Sequence, residues 1–326
     1  MSTAADWQLV TPHRCALGES PFWHPQEQAL YWVDIVGRQI WRVQPDTGTA
    51  EAWDLPSEPG CIAPAARGGW VMALRSGVFR AKTWAGELTH LATLGYDPTH
   101  QRANDGKCDA LGRFWVGTID ETKLVHNAAL YLLDCRSGTT RVTRQTNSAT
   151  QPLTTVNGLA WSPDNRTMYW ADTPSHTVYA CDFDLDQARM TGHRRWVNFN
   201  AKPVGWQFAP AEGDCIGGTN DSNSNGGYRG RPDGAAVDVQ GNYFVALYEG
   251  RRLCKFAPDG QLLAEWPTPA QCPTMPCFGG KDLKTLFITT ARHGRGADEL
   301  SRFTHSGGIF SMWVDVPGLP ANCFVD

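Results

Sequence analysis

The 326-residue chain lacks an excess of charge of either sign: 29 Lys and Arg stand against 33 Asp and Glu, a net charge of −4. A basic field that could hold a nucleic acid or an anionic membrane surface is therefore missing, and both partners are excluded first. Long hydrophobic runs are missing too, since nothing approaches the 18 or more apolar residues of a membrane-spanning helix. The opening Met1-Ser2-Thr3-Ala4-Ala5-Asp6 has neither the charged nor the apolar part of a secretory signal. The expected location is therefore the cytoplasm. No G-x-S-x-G nucleophile elbow occurs, and none of the nine histidines falls in an H-x-x-x-H or H-x-H pattern. Both absences weaken a serine hydrolase and a His-rich zinc site. The ten cysteines are scattered from Cys15 to Cys323, and the pair Cys272 and Cys277 has the wrong spacing for a zinc knuckle. Buried reduced thiols are expected rather than a disulfide framework.

What the chain does have is 14 Trp, 33 Gly and 21 Pro, with few long amphipathic patterns. Aromatics separated by dense turn residues indicate many short strands. The length alone allows two domains or one large all-β domain, and an internal repeat decides between them. Ser20-Pro21-Phe22-Trp23-His24-Pro25 followed by Ala29-Leu30-Tyr31-Trp32-Val33-Asp34 reappears as Gly158-Leu159-Ala160-Trp161-Ser162-Pro163 followed by Thr167-Met168-Tyr169-Trp170-Ala171-Asp172. Two clear further copies and two weaker ones make six.

One residue just before each first strand serves as an anchor: Glu19, Cys61, Asn104, Asn157, Asp233 and Thr274. Their intervals are 42, 43, 53, 76 and 41 residues. A period of about 40–45 with four strands per unit predicts a six-bladed β-propeller in one domain covering residues 1–326. From anchor to the key residue of the second strand the distance is 11 or 13, an even difference that keeps these residues on one strand face. Asp6–Val10 is expected to complete the last blade and close the ring, which removes exposed sheet edges. The long interval points to an insertion at about 206–230, rich in Gly, Asn and Ser.

A propeller brings its innermost strands, and so the anchors, to one channel mouth. Four of the six are carboxylate or amide oxygen donors from four different blades. Such groups converging on one axis repel and desolvate one another unless a cation sits among them, and an all-oxygen set suits Ca²⁺, Mg²⁺ or Mn²⁺. Asn and Asp before Gly are also ordinary turn residues; Glu19, a poor turn former, separates the two readings. Arg102 projects near the same mouth, suited to a substrate oxygen, while Lys107 and Asp109 are expected to form a structural ion pair.

The motifs Leu17-Gly18-Glu19-Ser20-Pro21-Phe22-Trp23, Arg102-Ala103-Asn104-Asp105-Gly106-Lys107, Val156-Asn157-Gly158-Leu159-Ala160-Trp161-Ser162-Pro163-Asp164 and Pro232-Asp233-Gly234 occur in this order. Together with Gly112-Arg113-Phe114-Trp115-Val116-Gly117-Thr118, they make the chain resemble the gluconolactonase, regucalcin and senescence-marker-protein family. The resemblance runs from about Cys15 to beyond Ala291. It implies a six-bladed propeller with one divalent metal at the channel mouth, calcium first, with magnesium, manganese, zinc or iron as alternatives. Carried over by motif, Glu19, Asn157 and Asp233 are the metal ligands and Asp233 is also the general base. Arg102, Asn104 and Asp105 match substrate-contacting positions. An acidic residue after Gly117-Thr118 completes that set, a place for which Asp120 and Glu121 compete.

The implied activity is metal-dependent hydrolysis of an aldono-1,4- or 1,5-lactone in sugar catabolism, by a monomer or small homo-oligomer. A metal-dependent esterase or phosphotriesterase is the alternative enzyme. A non-catalytic calcium-binding propeller is the alternative of another class, because fold alone does not fix function.

Overall fold

The computed structural model describes residues 6–146, 152–208 and 227–326. Short aromatic strands joined by tight turns form, among these residues, six four-stranded antiparallel sheets that follow one another as the blades of a β-propeller. The innermost strands are Gly18–His24, Pro59–Pro64, Gln101–Cys108, Val156–Trp161, Arg231–Val237 and Pro273–Gly279. The ring closes as expected: Gln8–Leu9 pairs with Phe310–Trp313, the third strand of the sixth blade. Among the described residues, helix is limited to Ala297–Arg302 and a single turn at Thr173–Ser175, and none there is long and apolar enough to cross a membrane.

The even spacing has its predicted result. Trp32, Met72, Trp115, Trp170, Phe244 and Phe287, one from the second strand of each blade, are all buried. The blades pack through apolar clusters that mix residues of neighbouring sheets; Trp115 of the third blade lies edge-on to Trp161 of the fourth, ring centres 6.0 Å apart. Burial of each such aromatic removes 150–250 Å² from water and makes these faces the main source of cohesion. The described cysteines are all free thiols, and all but Cys323 are buried.

Two expectations need correction. The anchors do not precede the first strands; they lie inside them, because in each strand the register slips at a bulge beside the anchor, as between Glu19 and Phe22 or between Asn157 and Ala160. Lys107 and Asp109 do not pair either. The strand ends at Cys108, and Asp109 turns back to bind Arg113 Nε at 2.7 Å, the indole of Trp115 at 2.8 Å and the amides of Leu111 and Arg113. Lys107 instead stays on the axis, where its ammonium donates to the Ala235 carbonyl. The insertion expected at 206–230 falls largely on residues 209–226, outside the described residues.

Candidate functional site

A bulge re-aims the side chain next to it, and here six bulges do so around one axis. Glycine one or two residues after the anchor has two distinct causes. Gly158 adopts φ +64° and its carbonyl accepts the Tyr243 hydroxyl at 2.8 Å, so a Cβ there would be both strained and in collision. Gly106 needs no positive φ; a Cβ would lie 2.4 Å from Cys61 Sγ, because the second and third innermost strands approach so closely. The Asn-Gly and Asp-Gly pairs therefore belong to bulges and close contacts rather than to turns.

Glu19, Asp105, Asn157 and Asp233 are all buried. Burial raises the Glu19 carboxyl well above its usual range, and the charges of Asp233 and Asp105 push it further; the Ser20 amide and Arg102 oppose them. Asp233 is pushed up to about 8, first by burial, with Arg231 pulling it down, Asp105 pushing it up and Arg102 opposing. Asp105 is raised by burial against the nearby Lys107 ammonium. Its Oδ2 accepts the Leu159 amide at 3.0 Å, a bond from the third blade to the fourth, while Oδ1 has no partner among the described residues. Three buried carboxylates that feel one another's charge, each resisting ionisation, form a place that a hard cation would relieve. The donor set is all oxygen, and the orphaned Asp105 oxygen adds to it, so these residues fit a divalent metal.

The two remaining anchors do structural work. Thr274 donates its hydroxyl to the Gly18 carbonyl at 2.5 Å, sewing the sixth blade to the first. Cys61 is fully buried, and burial with the Asp105 charge keeps it a neutral thiol.

Beside the carboxylates runs a chain of hydrogen bonds that crosses three blades. Arg102 Nη1 donates to Asn104 Oδ1 at 3.0 Å, and Asn104 Nδ2 to Asn157 Oδ1 at 2.7 Å. Asn157 Nδ2 donates to Thr173 Oγ1 at 2.8 Å, and Thr173 Oγ1 to the Pro232 carbonyl at 2.8 Å, next to Asp233. Each amide has its orientation set by its neighbour. Sequence reasoning missed Thr173; the signal was its place directly after the second strand of the same blade that carries Asn157. Arg102 is buried and also lies 3.4 Å from Glu121 Oε1.

Asp120 and Glu121 divide their roles. Against the cost of burial, hydrogen bonds from Thr122, His126 and Val125 hold the Asp120 carboxyl below its usual range, as it folds the 121–126 turn. Glu121 faces the arginines instead, with Arg75 Nη1 at 2.8 Å and Arg102 Nε at 3.4 Å.

The opposite end of the channel is different in character. A cavity of about 290 Å³ lies there, lined among others by Phe22, Trp23, Pro64, Trp161 and Met275, with residues 319–322 at its edge. None of the buried carboxylates lines it. Away from the axis, His13, Cys15 and Asp34 place ligand atoms within 4.8 Å of one another, which the three axial carboxylates do not, but the Asp34 carboxylate already accepts the amides of Ala16, Leu17 and Gly37.

Comparison with known proteins bears on the same site. The family model for the SMP-30/Gluconolactonase/LRE-like region matches residues 17–292. A 6-deoxy-6-sulfogluconolactonase of Pseudomonas putida is 35% identical over 95% of this chain and 96% of its own length. Regucalcin of Gallus gallus is 30% identical over 96% of each. Among solved structures, a calcium-binding protein, regucalcin, from Agrobacterium tumefaciens superposes with a TM-score of 0.85 at 22% identity, covering 99% of both chains. A gluconolactonase from Xanthomonas campestris gives 0.67 at 21% identity, covering 97% of this chain and 90% of that one. At these identities the structural matches establish the fold.

Proposed function

Because the chain belongs to the SMP-30/gluconolactonase/LRE-like family, we propose that it is a lactonase that opens an aldono-1,4- or 1,5-lactone to the aldonic acid with the help of one divalent metal ion. The observation that carries this reading is the meeting of buried carboxylates of raised pKa with the Arg102–Asn104–Glu121 cluster at one end of the channel. A bare cation store needs the first group and has no use for the second.

Glu19, Asn157 and Asp233 would hold the ion. When bound, it supplies Lewis acidity for the lactone carbonyl and the oxyanion formed from it. The chain's own residues do the rest. Asp233, unable to share its charge with solvent, is poised to take a proton from an attacking water, a contribution of about 10²–10⁴ in rate. The water oxygen bonds to the carbonyl carbon, the ring C–O bond breaks, and the proton passes to the departing ring oxygen to leave a hydroxyl. Arg102, held in place by Asn104 and Glu121, donates to a substrate oxygen. Asn104 and Glu121 offer acceptors to ring hydroxyls, the polar placement that separates sugar lactones from plain esters. Asp105, fixed by the Leu159 amide at one oxygen, keeps Oδ1 as the acceptor it would offer the substrate beside them.

The test is proton release over a panel of pentono- and hexonolactones, with spontaneous opening subtracted, in chelator and with Ca²⁺, Mg²⁺, Mn²⁺ or Zn²⁺ restored. Turnover that disappears with chelator and returns with metal supports the reading. Metal-loaded protein indistinguishable from the blank across the panel would pass the lead to a non-catalytic calcium-binding propeller, and preference for phosphotriesters to the esterase alternative.

A further inference from the structure

Arg231 opens the innermost strand of the fifth blade, two residues before Asp233, and its charge is the strongest stabilising neighbour of that carboxylate. Its side chain is only 22% exposed. Yet its guanidinium makes no hydrogen bond within the described residues. Nε is buried without a partner, and Nη2 stays 3.6 Å from Glu249 Oε2. The ring of Tyr248, 5.3 Å from Cζ, covers it on one side.

Arg231 lends Glu249 its charge, holding the carboxyl below its usual range against burial, but none of the hydrogen bonds that Glu249 accepts. Both its oxygens are taken by Lys202 Nζ at 2.8 and 2.9 Å, and Arg295 and the Tyr228 hydroxyl complete its shell at 2.9 and 2.8 Å. Arg295 is matched in turn by Glu299, which it grips through Nε and Nη2. Lys202 and Arg295 sit within hydrogen-bond reach of Glu249, whereas the Arg231 guanidinium acts on it through charge alone and keeps its N–H groups unspent. A further cation shares this field. Lys123 is exposed, makes no ion pair or side-chain hydrogen bond within the described residues, and feels the charges of Arg231 and Lys202, with Glu249 opposing them. Lys123, Lys202, Arg231 and Arg295 therefore stand against Glu249, Glu299 and the proposed base Asp233, four cations to three carboxylates. Uncompensated like charges cost free energy unless something anionic arrives between them, and a planar guanidinium with free N–H groups suits an oxyanion in two-point contact.

We propose that Arg231 and Lys123, backed by Lys202, form a cationic subsite that recognises an oxyanion substituent (phosphate, sulfonate or carboxylate) on the sugar, remote from the lactone carbonyl. This rests on the lactonase reading, and it narrows the substrate class to anionic aldonolactones.

The experiment separates the two. Calorimetric titration of the metal-loaded protein with glucose, glucose 6-phosphate and inorganic phosphate reads the subsite without turnover. The expected result is glucose 6-phosphate binding at least about tenfold tighter than either of the others, with the advantage falling as salt is added. Arg231→Gln should remove most of that advantage, about 10- to 100-fold, and Arg231→Lys should restore part of it. Lys123→Gln, at an exposed position that does not endanger folding, should lower it severalfold. In turnover, 6-phosphogluconolactone should exceed gluconolactone in kcat/KM, with the Arg231→Gln loss falling mainly on KM of the anionic substrate. Equal binding of glucose and glucose 6-phosphate overturns the subsite, whether or not any lactone is hydrolysed; so does phosphate alone binding as tightly as the sugar phosphate. Charge-selective sugar binding with no turnover leaves the subsite standing and overturns the lactonase reading.

Discussion

Asn104 Nδ2 lies 2.7 Å from Asn157 Oδ1 and binds the Val156 carbonyl at 3.1 Å, so one amide of the third blade fixes the orientation of another in the fourth. The bond makes a substrate-cluster residue the aligning partner of a proposed metal ligand. The two halves of the site are built as one.

Asn104→Ala should therefore affect both halves. It leaves Asn157 Oδ1 and the Val156 carbonyl without their donor, at a cost of about 1–3 kcal/mol each if they stay dry. Urea denaturation of the metal-free protein should show a lowered midpoint with unchanged slope, and calorimetry should show weaker metal binding. Unchanged metal affinity would separate the two halves.

Glu19→Gln and Asp233→Asn should each weaken metal binding, because both remove a negative charge from the proposed ligand set. Saturating metal distinguishes them. The Glu19 variant should recover much of its turnover, whereas Asp233→Asn should stay about 10²–10⁴ below wild type because the proton acceptor is gone. Full activity of Asp233→Asn at saturating metal would exclude it as the base.

The raised carboxyl of Asp233 also predicts a pH signature. In the metal-free protein its pKa is pushed from the usual carboxylate value to about 8. The folded state then holds a proton that the unfolded chain has released, and unfolding stability falls as pH rises through the interval up to about 8. Glu19, raised for the same reasons, acts in the same direction. Melting temperatures in chelator should decline as pH rises toward about 8, and Asp233→Asn should flatten that decline. Added divalent metal should reverse it, since a cation favours the ionised carboxylates and displaces the proton. A wild-type Tm that climbs over this range in chelator would contradict the burial of the cluster.

Arg113→Met should be among the more damaging single changes outside the site. It strands Asp109, 0% exposed, which is held by Arg113 Nε at 2.7 Å. Breaking one side of a buried pair costs about 3–5 kcal/mol. Chemical denaturation measures it, and a loss under about 1 kcal/mol would mean that the Trp115 indole and the turn amides alone satisfy Asp109.

The architecture was legible because a blade is a local unit. Its strand alternation, its aromatic second strand and its small residue at the bulge all fall within about 45 consecutive residues, so Glu19, Asn104, Asn157 and Asp233 could be aligned by that repeated local pattern even where the interval stretches to 53 or 76 residues. Closure by Gln8–Leu9 was legible for the same reason, since five blades complete themselves and the sixth needs one more strand. The Lys107–Asp109 expectation failed at a strand end: spacing of two puts residues on one face only while the strand continues, and this one stops at Cys108.

The sequence by itself thus determined how many blades there are and which residues each presents to the axis, because both follow from short-range periodicity. The tertiary structure alone decided what those residues meet. The path from Arg102 through Asn104, Asn157 and Thr173 to Pro232 joins three blades, and the gathering of Lys123, Lys202, Arg231 and Arg295 around Glu249 joins segments up to 172 residues apart in number. No pattern along the chain encodes such meetings, since hydrogen bonds and Coulomb forces act across a few ångströms of space whatever the distance in sequence.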